Sequence, residues 1–179
     1  AWQLAEKLDL WMVTVQPSAM VGPNASHLTD TMKFINDIQT KSLPFNPNFF
    51  FNFVDVRDVA QGIYAAACKG QPGNRYILAN KQSSSLSEII NAANIVKADY
   101  TLPSKLPKWL LLTIAWFMEI GAKVSGKPAE LISSQVKLFY GVKQEYDISK
   151  AKRDLGYAPR RPMKTLIETF QYLEKSTQG

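Results

Sequence analysis

The sequence predicts an α/β fold, in which helices cover both faces of a parallel β-sheet. Short apolar runs rich in β-branched and aromatic residues alternate with longer stretches in which apolar residues recur every three or four positions. The runs are apolar on both faces, as strands between two helix layers are. Three or four such runs are too few for a complete doubly wound sheet, so the pattern predicts part of one.

The strands are predicted from apolar runs that end at turn-forming residues. The first run stops at Gln16-Pro17, and the turn sequence Val-Gly-Pro-Asn follows at 21–24. A less regular run is ended by Pro103. The predicted strands are residues 10–15, 53–56, 75–79 and 98–102.

Helical periodicity and end signals predict the helices. Ser85 and Glu88 have the spacing of a capping box, in which the two residues satisfy each other's backbone N–H groups. Asp58 and Ser149 are predicted as N-caps, and Gly70 as the end of the helix that Asp58 begins. The predicted helices are residues 1–8, 28–40, 59–67, 85–96, 107–122, 128–139, 149–155 and 162–173.

Composition narrows the class of protein. With 179 residues, 46% apolar and 11% aromatic, the chain can bury a core, which excludes a fibrous or disordered protein. One cysteine and one histidine cannot form a Cys/His zinc site, so we expect no metal. The net charge of +6 is dispersed and no nucleic-acid-binding motif accompanies it, so we expect no nucleic-acid partner. The first residues do not resemble a signal peptide, which favours a cytoplasmic protein.

Three motifs occur in a fixed order along the chain. Residues 13–23, VTVQPSAMVGP, resemble an Arg-Pro-x-x-Val-Tyr-Gly-Pro stretch. Residues 53–60 and 73–78 resemble a Phe-Val-x-Val-x-Asp-Val-Ala block followed by Gly-x-x-Tyr-x-Leu, and residues 146–159 resemble a Ser-Lys-Ala-x-x-x-Leu-Gly-Tyr-x-Pro signature. Together they are similar to the C-terminal portion of extended short-chain dehydrogenases/reductases, the NAD-dependent epimerase/dehydratase superfamily. The similarity points to its dihydroflavonol-reductase and 3β-hydroxysteroid-dehydrogenase-like branch.

The resemblance implies a fold and a division of the chain. Residues 1–101 would form the last strands and helices of a Rossmann-type sheet with interleaved substrate loops, and residues 102–179 a mostly helical substrate-binding lobe. In this family the glycine-rich loop and the Tyr-x-x-x-Lys pair precede the segment that residues 13–23 match. We therefore expect neither in this chain and assign it no catalytic residue.

The resemblance also implies a reaction. The parent activity would be hydride transfer between NAD or NADP and a small-molecule secondary alcohol or ketone. One alternative is an epimerase or dehydratase that acts on a nucleotide sugar. Another is a non-catalytic interaction module that retained the substrate lobe.

Candidate cofactor residues lie directly after the first predicted strand. In the family, the backbone after the proline approaches the nicotinamide ring, so the resemblance implies that Pro17, Ser18, Ala19 and Met20 contact the cofactor. The position agrees with the general rule that ligands of open α/β sheets bind beyond the carboxyl ends of strands. Gln16 departs from the arginine that relatives carry there.

Candidate substrate residues lie directly before the second predicted strand. Nucleotide-sugar members carry an Arg-Asp pair where this chain has Phe51-Asn52. Replacing a phosphate-binding guanidinium by a phenyl ring argues for an apolar or alcohol-bearing substrate. The resemblance implies that Asn52 contacts the substrate, and Phe51 and Phe50 are candidates for lining an apolar pocket.

Three further residues carry reactive groups but have ordinary structural explanations. Asp55 and Asp58 could pair as carboxylates, yet a strand end and a helix cap account for them. His27 follows the turn near the cofactor edge and is interpreted as a surface residue, with ligand contact as the alternative. Cys68 is expected to pack on the apolar side of its helix.

The segment Trp109–Met118 is the most hydrophobic helix of the chain. Its ten or so apolar residues are too few to cross a bilayer, which needs roughly twenty. Its tryptophans and flanking lysines suit a weak contact with a membrane surface. The preferred alternative is that the helix caps the substrate cleft or lies in a homo-oligomer interface, so we expect the chain to self-associate.

Overall fold

The computed structural model describes residues 1–24, 29–97, 99–126, 129 and 131–177. Within these ranges helices and short strands alternate, which confirms the α/β class. The helices are α1 (Trp2–Lys7), α2 (Asp30–Gln39), α3 (Val56–Lys69), α4 (Leu86–Val96), α5 (Lys108–Ser125), α6 (Ser133–Phe139), α7 (Ser149–Leu155) and α8 (Pro162–Thr177). The strands are β1 (Thr14–Pro17), β2 (Ala19–Val21), β3 (Phe50–Phe51), β4 (Phe53–Asp55), β5 (Arg75–Leu78) and β6 (Ser84–Ser85).

The described strands pair in three ladders. β1 runs parallel to β5, as the apolar strand pattern predicted. β2 runs parallel to β4, although no strand was predicted at Ala19–Val21. β3 and β6 form a short antiparallel pair that the sequence did not predict. The first strand lies further along the chain than residues 10–15, and its burial falls from half-buried Thr14 and Val15 to exposed Gln16 and Pro17. The expectation of burial on both faces is therefore wrong for β1.

The predicted strand at 98–102 is absent from its described residues, 99–102. The backbone groups of Tyr100 bond to a side chain instead of a strand. The Tyr100 N–H donates to Asn94 Oδ1 at 2.9 Å, and Asn94 Nδ2 donates to the Tyr100 carbonyl at 3.1 Å. An amide side chain thus satisfies the groups that a sheet ladder would use, which is how asparagine competes with regular structure.

The helix ends confirm two predictions and correct two. Gly70 is the C-cap of α3, as predicted. Ser85 and Glu88 form the predicted capping box at the start of α4. The N-cap of α3 is Asp55, whose carboxylate accepts from the Arg57 N–H, so Asp58 lies inside the first turn. Ser149 is the first residue of α7, and its N–H donates to Asp147 Oδ1 at 2.9 Å. The N-cap of α7 is Ile148, which makes no side-chain cap bond, so Asp147 bonds to the first residue of the helix from outside it.

Three apolar clusters hold the elements together. The first joins α2, α4 and α8 to β2 and β4, and the second joins α3 and α7 to β1 and β5. The third lies between α5 and α6. The division at residue 101 stays a prediction, and in the described structure α7 and α8 pack against elements that precede that residue.

Cys68 is exposed, so the expectation of a packed thiol is wrong. The buried residues of α3 lie on another face, which includes Val59, Gly62 and Ala66. Gly62 permits that face to approach the sheet, since a Cβ on it would lie only 2.8 Å from Leu78 Cδ1.

Candidate cofactor and substrate site

The carboxyl ends of β1 and β5 lie at the same edge. Pro17, the last residue of β1, is in register with Leu78, the last residue of β5. Ser18 follows, and its N–H donates to the Leu78 carbonyl at 3.2 Å. The turn is thereby held against the end of the neighbouring strand, in the position where parallel α/β sheets bind ligands.

The four predicted cofactor residues are therefore brought together at one edge. The Ala19 N–H donates to the Asn52 carbonyl at 3.2 Å, which joins β2 to the segment before β4. Met20 is 43% exposed. The Ser18 hydroxyl is shielded from solvent and has no hydrogen-bond partner within the described residues. A buried hydroxyl without a hydrogen-bond partner is energetically costly. Its position beside a strand end fits the binding of a polar ligand group that would supply the missing hydrogen bond.

Asn52 is the centre of a buried amide network. Its side-chain amide donates to the carbonyls of Asn80 at 2.8 Å, Gln144 at 3.2 Å and Gln82 at 3.3 Å. Its Oδ1 accepts from the Asn80 N–H at 3.2 Å, and Asn80 Nδ2 donates to the Phe53 carbonyl at 2.7 Å. The residue is only 1% exposed. Because both amide hydrogens already serve backbone carbonyls, this arrangement favours a role in holding loops over a direct contact with substrate.

The two phenylalanines before Asn52 have different surroundings. The Phe51 ring stacks on Phe53 with centroids 5.6 Å apart, and it packs against Phe34 at 4.5 Å. Phe51 thus contributes to the cluster around α2, α4 and α8. Phe50 is half-buried, and Lys143 Nζ lies 5.9 Å from its ring centroid. Of the pair, Phe50 has the surroundings that suit a pocket wall.

Asp55 lies at the centre of a charged network at the end of β4. Arg57 donates to both of its carboxylate oxygens, at 2.8 and 2.6 Å, and also contacts Glu168. The Thr165 hydroxyl donates to the same carboxylate at 3.1 Å, and Arg160 Nη1 lies 3.1 Å from it. Burial alone would raise the pKa of Asp55, but the hydrogen bonds and charges of the arginines lower it to about 2. The Asp55 carboxylate is therefore ionised at neutral pH. Through Thr165 and Arg57 it joins α8 to the start of α3.

Asp58 belongs to the same network. Its carboxylate accepts from the Arg160 N–H at 2.7 Å, and Arg160 Nη1 lies 3.4 Å away. Burial, together with the charges of Asp58 and Asp55, raises the pKa of Tyr157, so its hydroxyl stays neutral. The two carboxylates are thus ion-paired structural groups, as the sequence favoured over an acid/base pair, although the cap of α3 is Asp55 and not Asp58.

Against the expectation that the chain lacks a Tyr-x-x-x-Lys pair, Tyr146 and Lys150 have this spacing. Lys150 Nζ contacts Asn74 Oδ1 at 2.5 Å and lies 5.5 Å from the centroid of the Tyr76 ring. Asn74 directly precedes β5, so this lysine lies at the amino end of that strand. The spacing therefore does not supply an acid/base pair at the carboxyl edge where Ser18 lies. His27 lies outside the described residues.

The fold places the chain in the class of Rossmann-type proteins, whose ligands bind beyond the carboxyl ends of parallel strands. Among solved structures, the chain matches gox2253 with a TM-score of 0.77 and 25% identity, over 98% of this chain and 52% of that one. It matches the enzyme WbmF of Bordetella bronchiseptica, solved with NAD+, with a TM-score of 0.63 and 18% identity. That match covers 98% of this chain and 49% of WbmF, and at this identity it shows the fold alone.

Two curated relatives narrow the class. The chain is 32% identical over 167 residues to a Synechocystis sp. protein whose name, dihydroflavonol 4-reductase, is provisional; the match covers 91% of this chain and 48% of the relative. It is 25% identical over 183 residues to 3beta-hydroxysteroid-dehydrogenase/decarboxylase isoform 1 of Arabidopsis thaliana, with 92% and 41% covered. No protein-family profile matches.

These similarities confirm the resemblance that the three motifs predicted, to the C-terminal portion of extended short-chain dehydrogenases/reductases and to relatives named as a dihydroflavonol reductase and a 3β-hydroxysteroid dehydrogenase. The chain spans about half the length, or less, of the curated relatives that it matches.

Proposed function

We propose that this chain is the C-terminal, substrate-side part of an NAD(P)-dependent oxidoreductase that interconverts a secondary alcohol and a ketone. The observation that carries the proposal is the turn Pro17–Met20, which is held at the shared carboxyl edge of β1 and β5 with an unsatisfied Ser18 hydroxyl. The two curated relatives carry reductase and dehydrogenase names, which supports the same reaction class. We also propose a cytoplasmic location.

The residues of the turn suit the nicotinamide end of NAD or NADP. The backbone N–H groups of Ser18 and Ala19 are already bonded to Leu78 and Asn52. The Ser18 hydroxyl is therefore the polar group left to meet a carboxamide, while Pro17 and Met20 offer apolar contact to a ring. When bound, the cofactor would supply or accept the hydride. Because the chain covers about half of its relatives, we propose that the pyrophosphate-binding loop and the proton donor belong to another segment of the parent protein.

The substrate side favours an alcohol or ketone over a nucleotide sugar. Phe51 packs on Phe53 and presents no guanidinium for a phosphate. We propose Phe50 as a wall of the substrate pocket and Asn52 as the residue that positions the loops around it. UDP-glucuronic acid 4-epimerase of Bacillus cereus, solved with its UDP-sugar and NAD, is 16% identical, so its likeness extends to the fold alone.

The cofactor proposal can be tested on this chain by NMR. Nicotinamide mononucleotide, which carries the ring, should shift the backbone amide signals of Ser18, Ala19 and Met20, whereas ADP-ribose should leave them in place. Ser18→Ala should weaken the binding of the mononucleotide about fivefold, the effect of one hydrogen bond. Ser83→Ala is a matched control, since the Ser83 hydroxyl is also buried without a partner in the described structure. Equal effects of the two variants, or no shifts at the turn, would refute the assignment.

The reaction itself is tested in the parent protein that contains this chain. Turnover of secondary ketones with NADH or NADPH is expected, and the isolated 179-residue chain should show none. Turnover of UDP-sugars would instead establish the epimerase alternative. No turnover with either substrate class, combined with no response to nicotinamide mononucleotide, would indicate an interaction module.

A further inference from the structure

Ser18 lies where the chain passes from one parallel ladder to the other. β1 ends at Pro17 and pairs with β5, whereas β2 begins at Ala19 and pairs with β4. The Ser18 N–H donates to the Leu78 carbonyl at the end of β5, at 3.2 Å. The Ala19 N–H donates to the Asn52 carbonyl, directly before β4, also at 3.2 Å. The position of the turn therefore depends on how the end of β5 is placed relative to the start of β4.

Asn80 connects these two segments. Its Nδ2 donates to the carbonyl of Phe53, the first residue of β4, at 2.7 Å. Asn80 lies two residues beyond the end of β5 and is only 7% exposed, so water has little access to this bond. The bond belongs to neither parallel ladder, and it links the two ladders at the edge where Ser18 lies.

The backbone of Asn80 also holds the side chain of Asn52. The Asn80 N–H donates to Asn52 Oδ1 at 3.2 Å, and Asn52 Nδ2 donates to the Asn80 carbonyl at 2.8 Å. Each asparagine side chain thus bonds to the backbone of the segment that carries the other. These bonds and the backbone between them close a ring that runs through Ser18, Leu78, Asn80, Phe53, Asn52 and Ala19.

We propose that Asn80 is a positioning residue that holds Ser18 in place for the ligand bound at the turn. This inference rests on the proposed function, which assigns the Ser18 hydroxyl to the carboxamide of the nicotinamide ring. A side chain that binds a ligand is held in the productive geometry by a second layer of hydrogen bonds behind it. The contribution of Asn80 reaches the ligand through the carbonyls of Phe53 and Asn52, and so through the backbone of the turn.

A purely structural role of Asn80 would change the stability of the fold without changing the turn. Asn94 provides the matched control, because its amide also bonds to two backbone groups, those of Tyr100, at 2.9 and 3.1 Å. Asn94 lies in α4 and does not belong to the ring around Ser18. Asn94→Ala should therefore cost stability and leave the turn unchanged.

The first measurement needs no ligand. Hydrogen exchange followed by NMR should show that Asn80→Ala accelerates exchange of the Ala19 N–H about fivefold beyond the change that its global stability predicts. The factor is that of one hydrogen bond, because a bond transmits at most its own free energy. Asn94→Ala should leave the Ala19 rate where global stability predicts. Urea unfolding of each variant gives the global stability.

The second measurement titrates the variants with nicotinamide mononucleotide. Asn80→Ala should weaken its binding about fivefold, and Asn94→Ala should leave it unchanged. In a Ser18→Ala background, Asn80→Ala should weaken binding by less than about twofold more, since the hydroxyl that it positions is gone. Full additivity of the two changes would show that Asn80 acts independently of Ser18, and the positioning role would then be wrong.

Circular dichroism checks that each variant is folded. If Asn80→Ala is not, Asn80→Ser is a smaller change that shortens the donor, and both measurements are made on it with the same expected directions. Equal acceleration of Ala19 exchange by the Asn80 and Asn94 variants, relative to their stabilities, would overturn the inference. If the wild-type chain does not respond to nicotinamide mononucleotide, the cofactor proposal fails, whereas exchange of the Ala19 N–H still decides whether Asn80 holds the turn.

Discussion

Replacement of Asn52 by alanine should destabilise the fold strongly. The change removes the acceptor of the Asn80 N–H and both donors to the carbonyls of Asn80, Gln82 and Gln144, at distances of 2.8 to 3.3 Å. Two amide hydrogens and one oxygen amount to about three hydrogen bonds at about 1 kcal/mol each. The site is buried, so water does not replace them readily. We expect the free energy of unfolding to fall by about 3 kcal/mol, out of a total of roughly 5–15 kcal/mol for an ordinary domain.

The measurement is urea unfolding followed by circular dichroism. With a denaturant slope of about 2 kcal/mol per molar, a loss of about 3 kcal/mol moves the midpoint down by about 1.5 M. A change below about 0.3 M would refute the loop-holding role of Asn52. In the parent protein, unchanged stability of Asn52→Ala with a tenfold lower kcat/KM for the proposed reaction would instead indicate that Asn52 contacts the substrate directly.

Asn52→Asp provides a second test with a distinct signature. The new carboxylate would face the carbonyl oxygens that now accept from the amide, which raises its pKa above that of an unfolded aspartate. The folded state then binds a proton more readily than the unfolded state. The variant should therefore gain stability relative to the wild type as the pH falls from 7 towards 4. If the free energies of unfolding of the variant and the wild type differ by the same amount at every pH, the placement of the new carboxylate beside these carbonyl oxygens is wrong.

Three further predictions concern other parts of the fold. The pKa of Asp55 is about 2 in the folded chain, below the ordinary 3.8, so the wild type should lose about 1–2 kcal/mol as the pH falls from about 4 to about 2. In Asp55→Asn this loss of stability should be absent from acid unfolding curves. If the stabilities of the variant and the wild type fall equally with pH, Asp55 is not the cause of the loss. Gly62→Ala should cost about 1–3 kcal/mol because its Cβ would lie 2.8 Å from Leu78 Cδ1, whereas Gly121→Ala, with open space, should be neutral or stabilising in thermal unfolding. Ser85→Ala should lower stability by about 1 kcal/mol through loss of the capping box, and an unchanged melting temperature would argue against it.

The sequence by itself determined the elements whose signals are local. The capping box at Ser85 needs only a serine and a glutamate three residues apart, and it forms as predicted. The strand at Arg75–Leu78 and the helix that Pro162 begins also follow from short patterns. The order of three motifs was sufficient to predict the family resemblance, which the curated relatives confirm.

Only the tertiary structure decided how polar groups distant in sequence satisfy one another. The predicted strand at 98–102 fails because the Asn94 amide takes the backbone groups of Tyr100, and no periodicity in the sequence reports that competition. Asn52 joins carbonyls that lie 28 and 92 residues further along the chain. A motif shows that an amide is present but not whether its hydrogens are already bonded, because hydrogen bonding depends on which segments the fold brings within about 3 Å.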